Sequence, residues 1–127
     1  MLTISKFTPA LFTLRDIVIP RAEEFFLTND KDYVYDILDG IKLFKEQYNG
    51  IDATTISILL VKVFESHALK ESSNNKQKLY ALLKVYIRFL KTNIKEYFCK
   101  SAVCDELRIF FVANNIRFFD LSDFISI

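Results

Sequence analysis

The sequence predicts an all-α protein, a single-domain bundle of about five helices over residues 1–127 in which the fourth helix is long. Three observations lead there. Apolar residues recur at helical spacing through most of the chain. Glycine and proline number only 2 each, whereas hairpins and tight βα turns use glycine heavily. The periodic stretches are separated by cap signals: Thr8-Pro9, Asn29-Asp30, Asn49-Gly50 and Ser101.

Taken in order, Thr8 caps a first helix from Pro9 to Ile19, where proline fits the first turn. Pro20 is expected to break it, leaving Arg21 to Thr28 as a connector. Asn29 or Asp30 opens a second helix, Lys31 to Tyr48. Tyr33, Val34, Ile37, Leu38, Ile41, Phe44 and Tyr48 fall on one side of it, and Asp36, Asp39, Lys42 and Glu46 on the other. Asn49-Gly50 ends it with a left-handed cap. Asp52 or Thr54 opens a third helix to Leu69, and Lys70 to Asn75 reads as a polar loop. A long fourth helix is expected from Lys76 to Phe98. A fifth, capped by Ser101, runs from Ala102 to Phe119, and a short turn follows within Leu121 to Ile127.

With 51% hydrophobic and 15% aromatic residues, including 13 Phe and 6 Tyr, the chain has the material for a core and is not a disordered sequence. A formal net charge of +1 gives no bulk attraction to nucleic acid or membrane. Cys99 and Cys104 are too few for a disulfide framework and read as free thiols in a reducing compartment. No run of about 18 uncharged apolar residues suggests a membrane span. Arg15 and Asp16 interrupt the first apolar stretch before it resembles a signal peptide. A soluble, intracellular protein is expected.

The last two helices carry the functional signal. Apolar residues of the fourth spread over about 220° of its circumference, where an ordinary surface helix uses about 100°. On the fifth, Leu107, Phe111 and Phe118 form one stripe and Ile109, Val112, Ile116 and Phe119 another, with Phe110 between. One reading is a well-buried helical hairpin. The other is that one stripe packs inside while Tyr86, Phe89, Ile109, Phe110, Val112, Ile116 and Phe119 meet a partner subunit. The remaining strip of the fourth helix holds Lys84, Arg88, Lys91 and Lys95. It serves either as a solvated face or as a contact for a polyanion or acidic partner.

No catalytic constellation emerges. His67 is the one histidine, and a lone histidine near a helix end is usually structural. Cys99 and Cys104 match no zinc spacing, and no further Cys or second His completes four ligands. Asp36 with Asp39, and Asp120 with Asp123, read as solvated faces or helix ends. There is no Gly-rich phosphate loop and no nucleophile elbow. No enzyme activity, metal, cofactor or small-molecule substrate is expected.

The order of segments resembles the helical A-domain of the GINS complex subunits, most closely the Sld-five type, with the Psf-one type next. The densest match is Leu83-Lys84-Val85-Tyr86-Ile87-Arg88, then Ile94 and Tyr97-Phe98. Phe7-Thr8-Pro9-Ala10 is similar to the family's Leu-Thr-Pro-Ala opening. Pro20, Glu23, Glu24 and Phe25 to Leu27 stand where the family has a Pro-Glu-Leu-Leu element. Glu106-Leu107, Ala113-Asn114 and Phe118 are similar to its last A-domain helix. Asn74-Asn75-Lys76-Gln77 departs from the family's Glu-and-Arg pattern, and the β-rich B-domain has no counterpart in these residues. The resemblance implies a non-catalytic, nuclear scaffold subunit of a heterotetramer that joins the Mcm ring and the Cdc-forty-five protein as a helicase cofactor in DNA replication, with direct DNA contact left open. The alternative is a free-standing helical bundle, such as a viral one, that grips an amphipathic helix. A small enzyme or lipid carrier is the third and least favoured reading.

Overall fold

The computed structural model describes residues 4–117 and Phe124. Among these, all regular structure is helical: α1 (Ile4–Thr28), α2 (Asp32–Gln47), α3 (Ala53–Ser72), α4 (Lys76–Asn93), a 3₁₀ turn (Lys95–Tyr97) and α5 (Lys100–Ala113). The helices pack as two compact units, Met1–Asp52 and Ala53–Ile127.

The first unit is the α1–α2 hairpin. Pro20 does not break α1, contrary to the sequence expectation; both Pro9 and Pro20 lie inside one 25-residue helix. An interior proline costs about 3 kcal/mol. Leu14, Val18, Ile19 and Ala22 are buried on either side of it, and a fully buried Leu, Val or Ile returns about 1.5–3 kcal/mol. Asp16 and Pro20 are exposed, so the carbonyl that Pro20 leaves without an amide donor sits on the solvent side. Arg21 Nη1 donates to the neighbouring Ile17 carbonyl at 3.0 Å.

Asn29 stops α1. Its left-handed backbone (φ 58°) lets its N–H donate to the Phe25 carbonyl at 2.7 Å. Asp30 then starts α2 by accepting the Asp32 N–H at 2.9 Å. Val34, Ile37, Ile41 and Phe44 of the predicted stripe are buried, while Tyr33, Leu38 and Tyr48 at its edges are half-buried. Gly40 permits the close approach of the two helices, because a Cβ there would lie 2.5 Å from Ile17 Cγ2. Gly50 takes φ 86° after the helix.

The second unit is built on α3. Ten of its 20 residues are buried, against six of 18 in α4 and five of 14 in α5. The sequence reading gave α4 and α5 the greatest burial; the central element is α3, which packs against α4, α5 and the 3₁₀ turn. It also runs to Ser72, so the predicted loop contracts to Ser73–Asn75, with Ser73 and Asn74 left-handed. The Asn75 side chain caps α4 by accepting the Lys78 N–H at 3.1 Å.

α4 ends at Asn93 rather than continuing to Phe98. The Asn93 side chain donates to the Phe89 carbonyl at 3.3 Å. Ile94 leaves helical geometry, and the 3₁₀ turn that follows keeps both Ile94 and Tyr97 buried. Cys99, not Ser101, is the cap residue of α5. The buried Ser57 hydroxyl of α3 accepts the Cys99 N–H at 3.0 Å, fixing where α5 begins.

α5 stops at Ala113 through a Schellman cap. Asn115 has φ 54°, its N–H donates to the Val112 carbonyl, and the Ile116 N–H donates to the Phe111 carbonyl at 2.9 Å. Lys76 Nζ donates to the Asn115 carbonyl at 3.0 Å, tying the start of α4 to the end of α5. The expected continuation to Phe119, and the short turn after it, lie outside the described residues apart from Phe124. That ring is buried against Tyr80 and Phe111, at 4.9 and 5.4 Å between centroids.

Candidate functional site

The structure separates the seven residues expected at a partner interface. Tyr86 stacks on Phe64 at 4.9 Å, and Phe89 meets the same ring edge-on at 6.2 Å. Phe110 packs against Phe111 at 6.0 Å, and Ile116 is buried as the hydrophobic residue that completes the α5 cap. These four are interior side chains and are removed from the candidate surface. Ile109 and Val112 are 64% and 75% exposed. Phe119 lies outside the described residues. The two-stripe pattern on α5 thus resolves into an inner stripe with Leu107, Phe110 and Phe111 and an outer one with Ile109 and Val112.

That outer face also presents Ser101, Asp105 and Arg108, at helical spacing with the aliphatics. Arg108 Nη1 donates to Asp105 Oδ1 at 3.2 Å. Lys100, Ser101, Cys104, Asp105 and Arg108 line a shallow surface depression. The face therefore has two aliphatic side chains next to a polar, charge-paired margin.

The basic strip is present on α4. Arg88 is exposed, Lys84 and Lys91 are partly exposed, and Lys95 is exposed in the 3₁₀ turn. Lys84 Nζ sits 5.9 Å from the centre of the Tyr80 ring. α4 contains no acidic residue.

Sequence reasoning missed a carboxyl pair inside the second unit. Glu65 of α3 is 4% exposed and Glu106 of α5 is also buried. Lys62 Nζ lies 3.0 Å from Glu106 Oε1. Burial, then the hydrogen bond with Glu106 and that group's charge, push the Glu65 carboxyl up to about 11; Lys62 acts the other way. Glu65 is thus a neutral acid at physiological pH and donates to the Glu106 carboxylate, which faces Lys62. Its Oε2 is buried with no hydrogen-bond partner among the described residues. The signal in the sequence was a single acid within the apolar run Leu59–Ala68 of a helix.

The other polar candidates have local roles. His67 Nε2 lies 3.8 Å from Glu71 Oε1 one turn on, and its ring is 5.9 Å from Tyr86. Cys99 and Cys104 are free thiols. The Ala102 N–H and then the Ser101 hydroxyl hold the Cys99 thiol below its ordinary range. Asp36 and Asp39 are exposed on α2; Asp120 and Asp123 lie outside the described residues. Among the described residues no helix is long and apolar enough to cross a membrane. No family model, curated protein or solved structure matches the chain.

Proposed function

We propose that the chain is a non-catalytic helical scaffold subunit that meets a partner protein through the outer face of α5. The observation that carries this reading is the exposure of Ile109 and Val112, two β-branched aliphatics on one side of a helix whose other side is already packed. Covering the 64% and 75% of these side chains that is exposed recovers about 2–4 kcal/mol. Asp105 and Arg108 supply a polar margin of the kind that surrounds an interface core. An amphipathic partner helix fits this surface.

The motif order from Phe7-Thr8-Pro9-Ala10 to Ala113-Asn114 supports one choice of assembly. On its resemblance to the GINS A-domain, the partners are helical subunits of a hetero-oligomer that serves the replicative helicase in the nucleus. Co-expression of the full chain with GINS-type subunits from its source organism, followed by affinity capture, tests both parts. Stoichiometric capture is expected. I109D/V112D is expected to weaken it more than tenfold with unchanged helical circular dichroism. Capture indifferent to that double substitution refutes the α5 surface, and absence of any GINS-type subunit refutes the assembly.

A free-standing interaction module is the second reading, favoured by the burial of Tyr86, Phe89, Phe110 and Phe111 within the chain. Such a protein gains no thermal stability from GINS-type subunits, whereas a subunit of that assembly is stabilised by them.

A further inference from the structure

Charge is segregated along this chain. Met1–Asp52 holds nine acidic residues and six basic ones; Ala53–Ile127 holds seven acidic and eleven basic. The net charge of +1 therefore divides into −3 (six minus nine) and +4 (eleven minus seven). Two helices concentrate the difference. α4 carries Lys76, Lys78, Lys84, Arg88 and Lys91 with no acid. α2 carries Asp32, Asp36, Asp39 and Glu46 against Lys42 and Lys45.

The exposed faces of these helices repeat one spacing with the charges reversed. On α4, Lys78, Val85 and Arg88 are all exposed; on α2, Asp36, Leu43 and Glu46 are all exposed. In each set the aliphatic follows the first charge by seven residues and precedes the second by three. All three positions fall on one side of an α-helix, over about 15 Å of axis. Laid parallel, the two faces set Val85 against Leu43 and Lys78 near Asp36, with Arg88 and Glu46 level at the two edges.

We propose that the basic face of α4 in one copy docks on the acidic face of α2 in a second copy. The contact joins unlike faces, α4 of one copy to α2 of another. This surface is distinct from the α5 face, and it holds or fails independently of the assembly proposed above. The drive is charge complementarity about one aliphatic contact, so association is strong in low salt and screened in high salt.

Sedimentation velocity of the full chain tests this across a concentration series at about 50 mM and about 500 mM salt, which differ roughly threefold in screening length. Concentration-dependent self-association is expected at the lower salt and a monomer at the higher. K78E/R88E and D36K/E46K should each weaken self-association at least tenfold, with helical circular dichroism unchanged. Mixed at equal concentration, they should associate with each other again, because the first retains the acidic α2 face, the second retains the basic α4 face, and the two reversed faces are themselves complementary. A wild-type monomer at all concentrations in low salt overturns the proposal, as does self-association that neither charge swap weakens. A labelled nucleic-acid duplex, bound by a wild-type monomer and released by K78E/R88E, assigns the strip to a polyanion and overturns it too.

Discussion

Glu65 on α3 and Glu106 on α5 share a hydrogen bond in the interior of the second unit, and Lys62 Nζ completes the cluster 3.0 Å from Glu106. A buried ion pair alone gives little net stability, and removing one member leaves the other charge uncompensated. Here the pair is relieved by a proton: with Glu65 neutral, one negative charge faces one positive charge. The cluster fixes which side of α5 faces α3, leaving Ile109 and Val112 outside.

The proton makes stability depend on pH. The Glu65 carboxyl is raised from 4.5 to about 11 in the fold. Its contribution is complete below the unfolded value and declines as pH rises through that window, because the unfolded chain releases the proton first. Urea unfolding should therefore show lower stability at pH 9 than at pH 5. Glu65→Gln keeps the shape and the donor to Glu106 without a titrating proton. It should flatten this dependence and add about 1–3 kcal/mol at pH 7. Equal pH slopes for wild type and Glu65→Gln would show that Glu65 ionises normally.

Pro20 marks the limit of local reading. Its missing amide and its ring are local facts, and they predict a break. The burial that carries α1 through it depends on contacts distant in sequence, which the apolar stripe Leu14, Val18, Ala22 suggests without specifying. Pro20→Ala restores a donor for the Asp16 carbonyl and should stabilise the first unit by about 1–3 kcal/mol. A loss of stability instead would mean that the proline ring shapes the hairpin.

Gly40 tests the same hairpin from its other side. Alanine is ordinarily better than glycine in a helix by about 1 kcal/mol. The new Cβ would lie 2.5 Å from Ile17 Cγ2, so something must move. Gly40→Ala should destabilise the chain by about 1–3 kcal/mol. Ile17→Ala added to it should recover part of that loss, since it removes the opposing methyl. Additive losses in thermal unfolding would refute the close approach.

Two of the turns were legible because their chemistry is local: Asp30 and Gly50 stand where Asx and left-handed signals place them. The α2 core stripe was legible from its period. The inside and outside of α5 were not, since Ile109 and Phe110 are neighbours of equal hydrophobicity, and only α3 decides which is covered. The Glu65–Glu106 pair was hidden for a related reason. The two acids are 41 positions apart, and each alone resembles a solvated charge.

Cys99 carries the last prediction, which follows from the start of α5. The nearby Ala102 N–H and the Ser101 hydroxyl, 3.6 Å from the sulfur, both favour the thiolate. Cys104, one turn into the helix, has no such cap position. At pH 7 iodoacetamide should therefore modify Cys99 before Cys104, as peptide mass spectrometry of briefly treated protein would show. Ser101→Ala should slow the Cys99 reaction at pH 7 and leave its rate at high pH nearly unchanged, where the thiolate is fully formed in either protein. Preferential labelling of Cys104, or a Cys99 rate that Ser101→Ala lowers equally at all pH values, would mean that access controls the reaction instead of thiolate content.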